Sequence, residues 1–283
     1  MLRFTALAAC CALALGACSQ KDSAQPAGSA SGVMASAKIE GPSVTVKTTR
    51  GEAAVPRNPE RVAVYDLGML DTLNKLGVPT GVSVDKNLLP YLDAYFKQTK
   101  PAGTLFEPDY EALNAYKPQL VIIGSRTAKA FDQLSRIAPT IEMTADTAHL
   151  KDSAKERIDA LAQIFGKQAE ADKLKAEIDA SFEAAKAADS SIKEKGNHGQ
   201  PITFEYIKKT NPDWLFVLDR SAAIGEEGKA AKDVLDNPLV AETTAWKKGQ
   251  VVYLPPETYL AAGGAQELLN ASKQVTEAFN AAK

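Results

Sequence analysis

The sequence predicts an α/β fold: two related lobes joined by one long helix, with the second lobe truncated. Three observations carry this. First, two segments match each other, EALNAYKPQLVIIGSR from Glu111 to Arg126 and EYIKKTNPDWLFVLDR from Glu205 to Arg220. Glutamate, Leu113 or Ile207, Pro118 or Pro212, and the closing arginine recur at one offset of 94 residues. Each copy reads as a short helix, a proline that stops it, a nearly continuous apolar strand and an arginine just beyond. That is how a parallel strand covered on both faces reads. Second, Lys167 to Ala187 is helical, with Leu174, Ile178 and Phe182 on one face; it spans about 30 Å, enough to bridge two lobes. Third, 50 residues separate Arg61 from Glu111, but only 18 polar ones separate Ala187 from Glu205. The second lobe has no room for the strand–helix–strand unit that precedes the first copy.

The elements follow in order. Residues 1–17 carry Arg3 and an apolar run over 4–15, too short to span a bilayer, and read as an export signal. Leu15-Gly16-Ala17-Cys18 is a lipobox pattern in which Cys18 is lipidated. The alternative is a plain secretory signal. All three cysteines, Cys10, Cys11 and Cys18, fall within the first 18 residues, so Cys18 has a role other than bridging. Residues 18–42 read as the lipidated cysteine and a flexible tether of small polar residues. Residues 43–150 form the first lobe: an extended piece SVTVKTTRGEAAVP, the strand RVAVYD, a helix ended by Gly77, the strand VPTGVSV, the first repeat, a helix over Ala128 to Ile137 and the strand PTIEM. Residues 151–187 are the connecting helices. Residues 188–283 form the shortened second lobe, with the second repeat, a helix over Ala230 to Leu235, the strand QVVYL and a terminal helix from Gly264.

The composition is that of an ordinary soluble protein, 45% hydrophobic and 24% charged. With 33 basic and 35 acidic residues the net charge is −2. This excludes a generally basic nucleic-acid binder but not a local cationic pocket. Two histidines, His149 and His198, exclude a multi-histidine metal site. No GxSxG, HExxH, Walker loop or GxGxxG occurs, which argues against an enzyme.

Ligands of open α/β sheets bind beyond the carboxyl ends of the strands. The repeat places Arg126 and Arg220 at two such ends, where paired guanidinium forks suit a polyanion. The alternative is a surface ion pair with a neighbouring acid such as Asp219. His198, in the loop GNHGQP, and Tyr259, in PPETYLAAGG, are candidate ligands for a hard ferric ion. Taken in isolation, His198 is more readily explained as a loop residue and Tyr259 as a packing residue. Glu111 and Glu205 each open a repeat helix, where the macrodipole favours a carboxylate.

Together, the lipobox, PRNPERVAVYD, GTLFEPDYEALNAYKPQLVIIGSR, the long helix, NPDWLFVLDR and DVLDNPLVAETTAWKKGQVVYLPPETYLAAGG resemble the ferric-siderophore solute-binding lipoproteins of bacterial ABC importers. The nearest subgroup binds catecholates of the enterobactin type. The resemblance implies two Rossmann-like lobes on a rigid helical backbone and a ferric siderophore held between them. It implies no intrinsic cofactor and no enzymatic step. It also implies a periplasmic monomer anchored to a membrane by its lipid, with an inner-membrane ABC permease as partner. Arg126 and Arg220 match arginines that surround the ferric complex. His198 and Tyr259 match positions able to complete iron coordination. Glu111 and Glu205 match glutamates that dock on permease arginines. One segment of the family pattern, between the long helix and the His198 loop, is missing, and with it a third arginine. Three outcomes stay open: capture of a ferric catecholate, capture of another chelate such as haem or a corrinoid, and a deletion form that is only an interaction lipoprotein.

Overall fold

The computed structural model describes residues 37–188, 201–224 and 228–283. The signal segment, Cys18, most of the tether and the His198 loop lie outside them. Strands β1 (Ser43–Thr48) and β2 (Gly51–Pro56) pair antiparallel, Ser43 opposite Pro56 and Thr48 opposite Gly51. The predicted extended piece is therefore a hairpin. Gly51 takes φ +99°, and the Thr48 hydroxyl donates to its carbonyl at 2.7 Å.

Beyond the hairpin the chain alternates strand and helix: β3 (Val62–Tyr65), α1 (Leu67–Lys75), β4 (Val82–Ser83), α2 (Asp93–Phe96), β5 (Lys100–Pro101), α3 (Tyr110–Tyr116), β6 (Leu120–Ile123), α4 (Phe131–Ile137) and β7 (Thr140–Glu142). The five strands β3–β7 form one parallel sheet in the order β5-β4-β3-β6-β7. Val62 to Tyr65 pair with Leu120 to Ile123, and all eight are buried. Strand β4 is shorter than predicted: Pro79 has no N–H to give, and pairing with β3 begins only at the Gly81 N–H, which donates to the Val62 carbonyl. The helix predicted from Ala128 begins instead as a 3₁₀ segment, Ser125–Ala130, before α4.

The connecting helices are α5 (Leu150–Phe165), closed by Gly166 at φ +65°, and α6 (Gln168–Ala188). Then follow α7 (Phe204–Thr210), β8 (Leu215–Leu218), α8 (Arg220–Ile224), α9 (Ala231–Leu235), α10 (Pro238–Ala241), α11 (Thr244–Lys247), β9 (Val251–Leu254), α12 (Glu257–Leu260) and α13 (Ala265–Ala281). Helix α13 packs on α6, α5 and α1, so the C-terminus closes back over the first sheet.

The internal repeat is geometric as well as sequential. Asp109 and Thr203 cap α3 and α7, each accepting N–H bonds from the first turn. Lys117 and Asn211 end the two helices in the left-handed region, at φ +54° and +45°, directly before the prolines. The strands that follow differ in surroundings. Strand β6 has a neighbour on each side, whereas among the described residues β8 pairs only with β9, parallel, Leu215 opposite Val251. Accordingly Ile122 is 0% exposed, and its repeat equivalent Phe216 is 41% exposed.

Candidate functional site

The strand order reverses between β3 and β6, since the chain builds β4 and β5 to one side and β6 and β7 to the other. A crevice opens beyond the carboxyl ends of strands at such a point. Asp66 follows β3 there, and Gly124-Ser125-Arg126 follow β6. The two turns approach closely: a Cβ on Gly124 would lie 2.0 Å from Asp66 Oδ2. Asp66 Oδ1 accepts the Met69 N–H at 2.9 Å, which starts α1. A cleft of about 420 Å³ lies above, lined by Asp66, Ser125, Arg126 and Arg157 on one side and by Leu218, Thr258, Tyr259, Leu260 and Ala262 on the other.

Both repeat-related arginines meet at Tyr259. Arg126 donates from Nη2 to the Tyr259 carbonyl at 3.0 Å and from Nη1 to the Leu260 carbonyl at 3.2 Å. Its guanidinium carbon lies 5.0 Å from the Tyr259 ring centroid. Arg220 donates from Nε to Tyr259 Oη at 3.1 Å, with its guanidinium carbon 5.7 Å from the same ring. The ring thus sits between two cations. The Arg220 hydrogen bond, and then the charges of Arg126 and Arg220, hold its phenol below the ordinary value against partial burial. Asp219 caps local turns, accepting from the Ala222 N–H at 3.0 Å and the Ala231 N–H at 2.8 Å. Glu111 and Glu205 lie on exposed first turns of α3 and α7, away from this cluster. Hydrogen bonds from its own N–H and from Thr203 hold the Glu205 carboxyl low. His198 falls outside the described residues. Among the described residues no cluster of three His, Cys, Asp or Glu could hold a metal, and no helix is long and apolar enough to cross a membrane.

Two cleft residues are absent from the sequence-level candidates. Asp66 had been read only as the end of a strand. Arg157 lies on the apolar stripe of α5, between Ala154, Ile158 and Leu161, and is 5% exposed. Its Nη1 donates to the Met143 carbonyl at 3.1 Å and its Nη2 to the Gly263 carbonyl at 2.5 Å. A charge on the apolar side of an amphipathic helix is the signal that could have found it.

The periplasmic binding protein family model matches residues 62–197 and 188–258. The petrobactin-binding protein YclQ of Bacillus subtilis is 34% identical over 281 positions, covering 83% of this chain and 87% of YclQ. The ferric-anguibactin-binding protein FatB of Vibrio anguillarum is 29% identical, over 76% of this chain and 81% of FatB. Among solved structures, YclQ superposes with a TM-score of 0.77 at 32% identity, covering 84% of this chain and 99% of YclQ. The periplasmic catecholate-siderophore binding protein VctP of Vibrio cholerae superposes with a TM-score of 0.73 at 26% identity, over 85% and 100%. The YclQ alignment takes in about 235 of the 283 residues here, so about 46 of its 281 positions have no counterpart in this chain. The two family-model matches meet at 188–197, between α6 and α7, where the repeat also falls short. With a switch-point cleft, two cations on one tyrosine and these similarities over most of its length, the chain belongs to the periplasmic binding protein family and is a solute-binding protein, not an enzyme.

Proposed function

We propose that this chain is the siderophore-binding component of an ABC iron importer, capturing an anionic ferric catecholate in the Arg126–Tyr259–Arg220 cleft. The observation that carries this reading is the convergence of two repeat-related arginines on one tyrosine beyond the strand ends. Guanidinium groups stay charged and present donors in a fixed fork, which suits the oxygens of a polyanionic chelate. Tyr259, and His198 from its own loop, are the residues that would offer oxygen and nitrogen donors to a ferric ion left partly uncoordinated. The exposed Glu111 and Glu205 are the carboxylates for permease arginines, and Cys18 is the lipid anchor that keeps the protein at a membrane.

The test is a tryptophan-fluorescence titration of the full chain with ferric enterobactin. Saturable quenching at submicromolar chelate is expected. In the R126A/R220A double variant capture falls at least about a hundredfold, some 2.7 kcal/mol. Unchanged affinity in that variant would remove the cleft assignment. A second reading is capture of a different ferric chelate, favoured by the relatives' names, which specify petrobactin and anguibactin. Quenching by a ferric citrate or mixed-donor chelate and none by ferric enterobactin would select it.

A further inference from the structure

Asp66 is a carboxylate in a cleft read as an anion site, and the proposed capture assigns it no role. Among the described residues, Asp66, Arg126 and Arg157 are the charged residues that line the cleft itself, and Arg220 meets it through the Tyr259 hydroxyl. As a residue Asp66 is half-buried, but protein closely surrounds its carboxyl. Oδ1 receives the Met69 N–H, and Oδ2 is pressed against Gly124, the residue two before Arg126. Arg126 faces it from the end of β6 and Arg157 from α5, both drawing the carboxyl toward its charged form. Helix α1 adds Asp71, whose charge also acts on Arg157. Beyond Asp71 lies Glu267 of α13, and beyond Arg126 lies Tyr259 of α12. Arg157 is committed on two sides to backbone carbonyls, and its buried Nε has no hydrogen-bond partner among the described residues.

We infer that Asp66 is the counter-charge of this cleft, a positioning residue that balances Arg126 and Arg157 when the cleft is empty and takes up a proton from solvent when an anionic ligand enters. The inference rests on the anion reading above. Its physics is charge balance. With Asp66 ionised, the three lining charges sum to +1; with it protonated, to +2. An incoming polyanion near a buried carboxylate disfavours the ionised form. Desolvation pushes this carboxyl above its ordinary value despite both arginines, the same direction in which an entering anion acts. Linkage then requires that affinity increase as pH falls, by at most about tenfold per unit for one proton.

Asp66→Asn isolates the effect. Asparagine caps a helix as well as aspartate does, so the Met69 contact and the start of α1 survive. Calorimetric titration of the full chain with ferric enterobactin, at one pH near neutrality in buffers of low and high ionisation enthalpy, counts the protons. The wild type is expected to take up a substantial fraction of one proton per chelate, and D66N close to none while still binding. Wild-type affinity is also expected to rise several-fold from pH 8 to pH 7. The chelate's own protonation is common to both proteins and cancels in the comparison. Binding without proton uptake in the wild type, or equal uptake in D66N, overturns the role of Asp66 and leaves the siderophore reading standing. No binding by the wild type at any pH overturns both. If D66N fails to fold, the wild-type count is read after subtracting the protons the chelate itself takes up, measured by potentiometric titration of the chelate over the same pH range, and no remaining uptake overturns the role of Asp66.

Discussion

Gly124 shows how much of this site depends on a missing side chain. It is buried at the end of β6, and any Cβ there would lie 2.0 Å from Asp66 Oδ2. The carboxyl cannot retreat, because its other oxygen is engaged with Met69 and the β3–α1 turn is enclosed. Gly263 is constrained twice, by φ +75° and by Arg157 Nη2, 2.2 Å from its would-be Cβ. Gly228, by contrast, has open space. Gly124→Ala is therefore expected to destabilise the protein by about 2–4 kcal/mol, and Gly228→Ala to leave stability within about 0.5 kcal/mol. Urea titrations followed by circular dichroism check both, and a stable G124A variant would mean that the β3 and β6 turns do not approach this closely.

The element that ties the molecule together is α13. Its first turn offers N–H groups without helical partners, and α1 supplies the acceptors. Asp71 receives Gln266 and Glu267, each at 2.9 Å, and Thr72 Oγ1 receives Ala265 at 3.2 Å. Burial pushes the Asp71 carboxyl up to about 7 against these bonds, and burial raises Glu267 as well. A carboxyl raised in the folded state binds more protons there than in the unfolded chain. Stability is then greatest below the unfolded value near 4 and declines as pH rises toward 7. The carboxyls held low, Asp146, Glu170, Asp179, Glu205, Asp219 and Glu242, act with the opposite sign but only below about pH 4. The ligand-free protein is thus expected to lose stability on the order of 2 kcal/mol between pH 5 and pH 8. Asp71→Asn should flatten that decline without abolishing it, because Asp66 and Glu267 remain. Thermal melts at several pH values measure this, and a wild-type profile rising from pH 5 to 8 would refute it. These tertiary contacts were not legible in the sequence. The helix from Gly264 was, from its apolar period; that Asp71, 193 or more residues earlier, would cap it was not, because no local pattern records a long-range acceptor. The same holds in the cleft. Arg126 and Arg220 were legible because the repeat puts each just past a nearly continuous apolar run. Asp66 and Arg157 were hidden, one at the end of a strand and the other inside an apolar stripe.

At the scale of the whole chain, the β3–β7 sheet and the β8–β9 sheet are unequal in a way the repeat length already indicated. The first has five strands and contributes its central residues to the main core, whereas no residue of β8 or β9 belongs to that core. Leu218 and Tyr253 remain 38% and 37% exposed in addition to Phe216. Strand β8 is partly compensated by an aromatic cluster in which Trp214 and Phe216 meet Phe279 of α13, at centroid distances of 4.6 and 5.9 Å. Such a cluster adds about 0.5–1.5 kcal/mol per pair beyond area burial, less than a full neighbouring strand and helix would contribute through several buried side chains. The second sheet should therefore open at a lower free energy than the first, as a separate cooperative unit. The two tryptophans make this directly observable, since Trp214 precedes β8 and Trp246 lies in α11, both on the C-terminal side. Tryptophan fluorescence reports the second sheet, whereas far-ultraviolet circular dichroism reports all the helices, most of which pack on the first. In a urea titration the fluorescence midpoint is expected to fall clearly below the dichroism midpoint. Coincident transitions would mean one cooperative unit, with α13 coupling the short sheet to the core strongly enough to offset the absent segment. A ligand held as proposed, between Arg126 and Arg220, would contact residues on both sides of the cleft, so adding it should draw the two midpoints together, by stabilising the weaker unit more than the stronger.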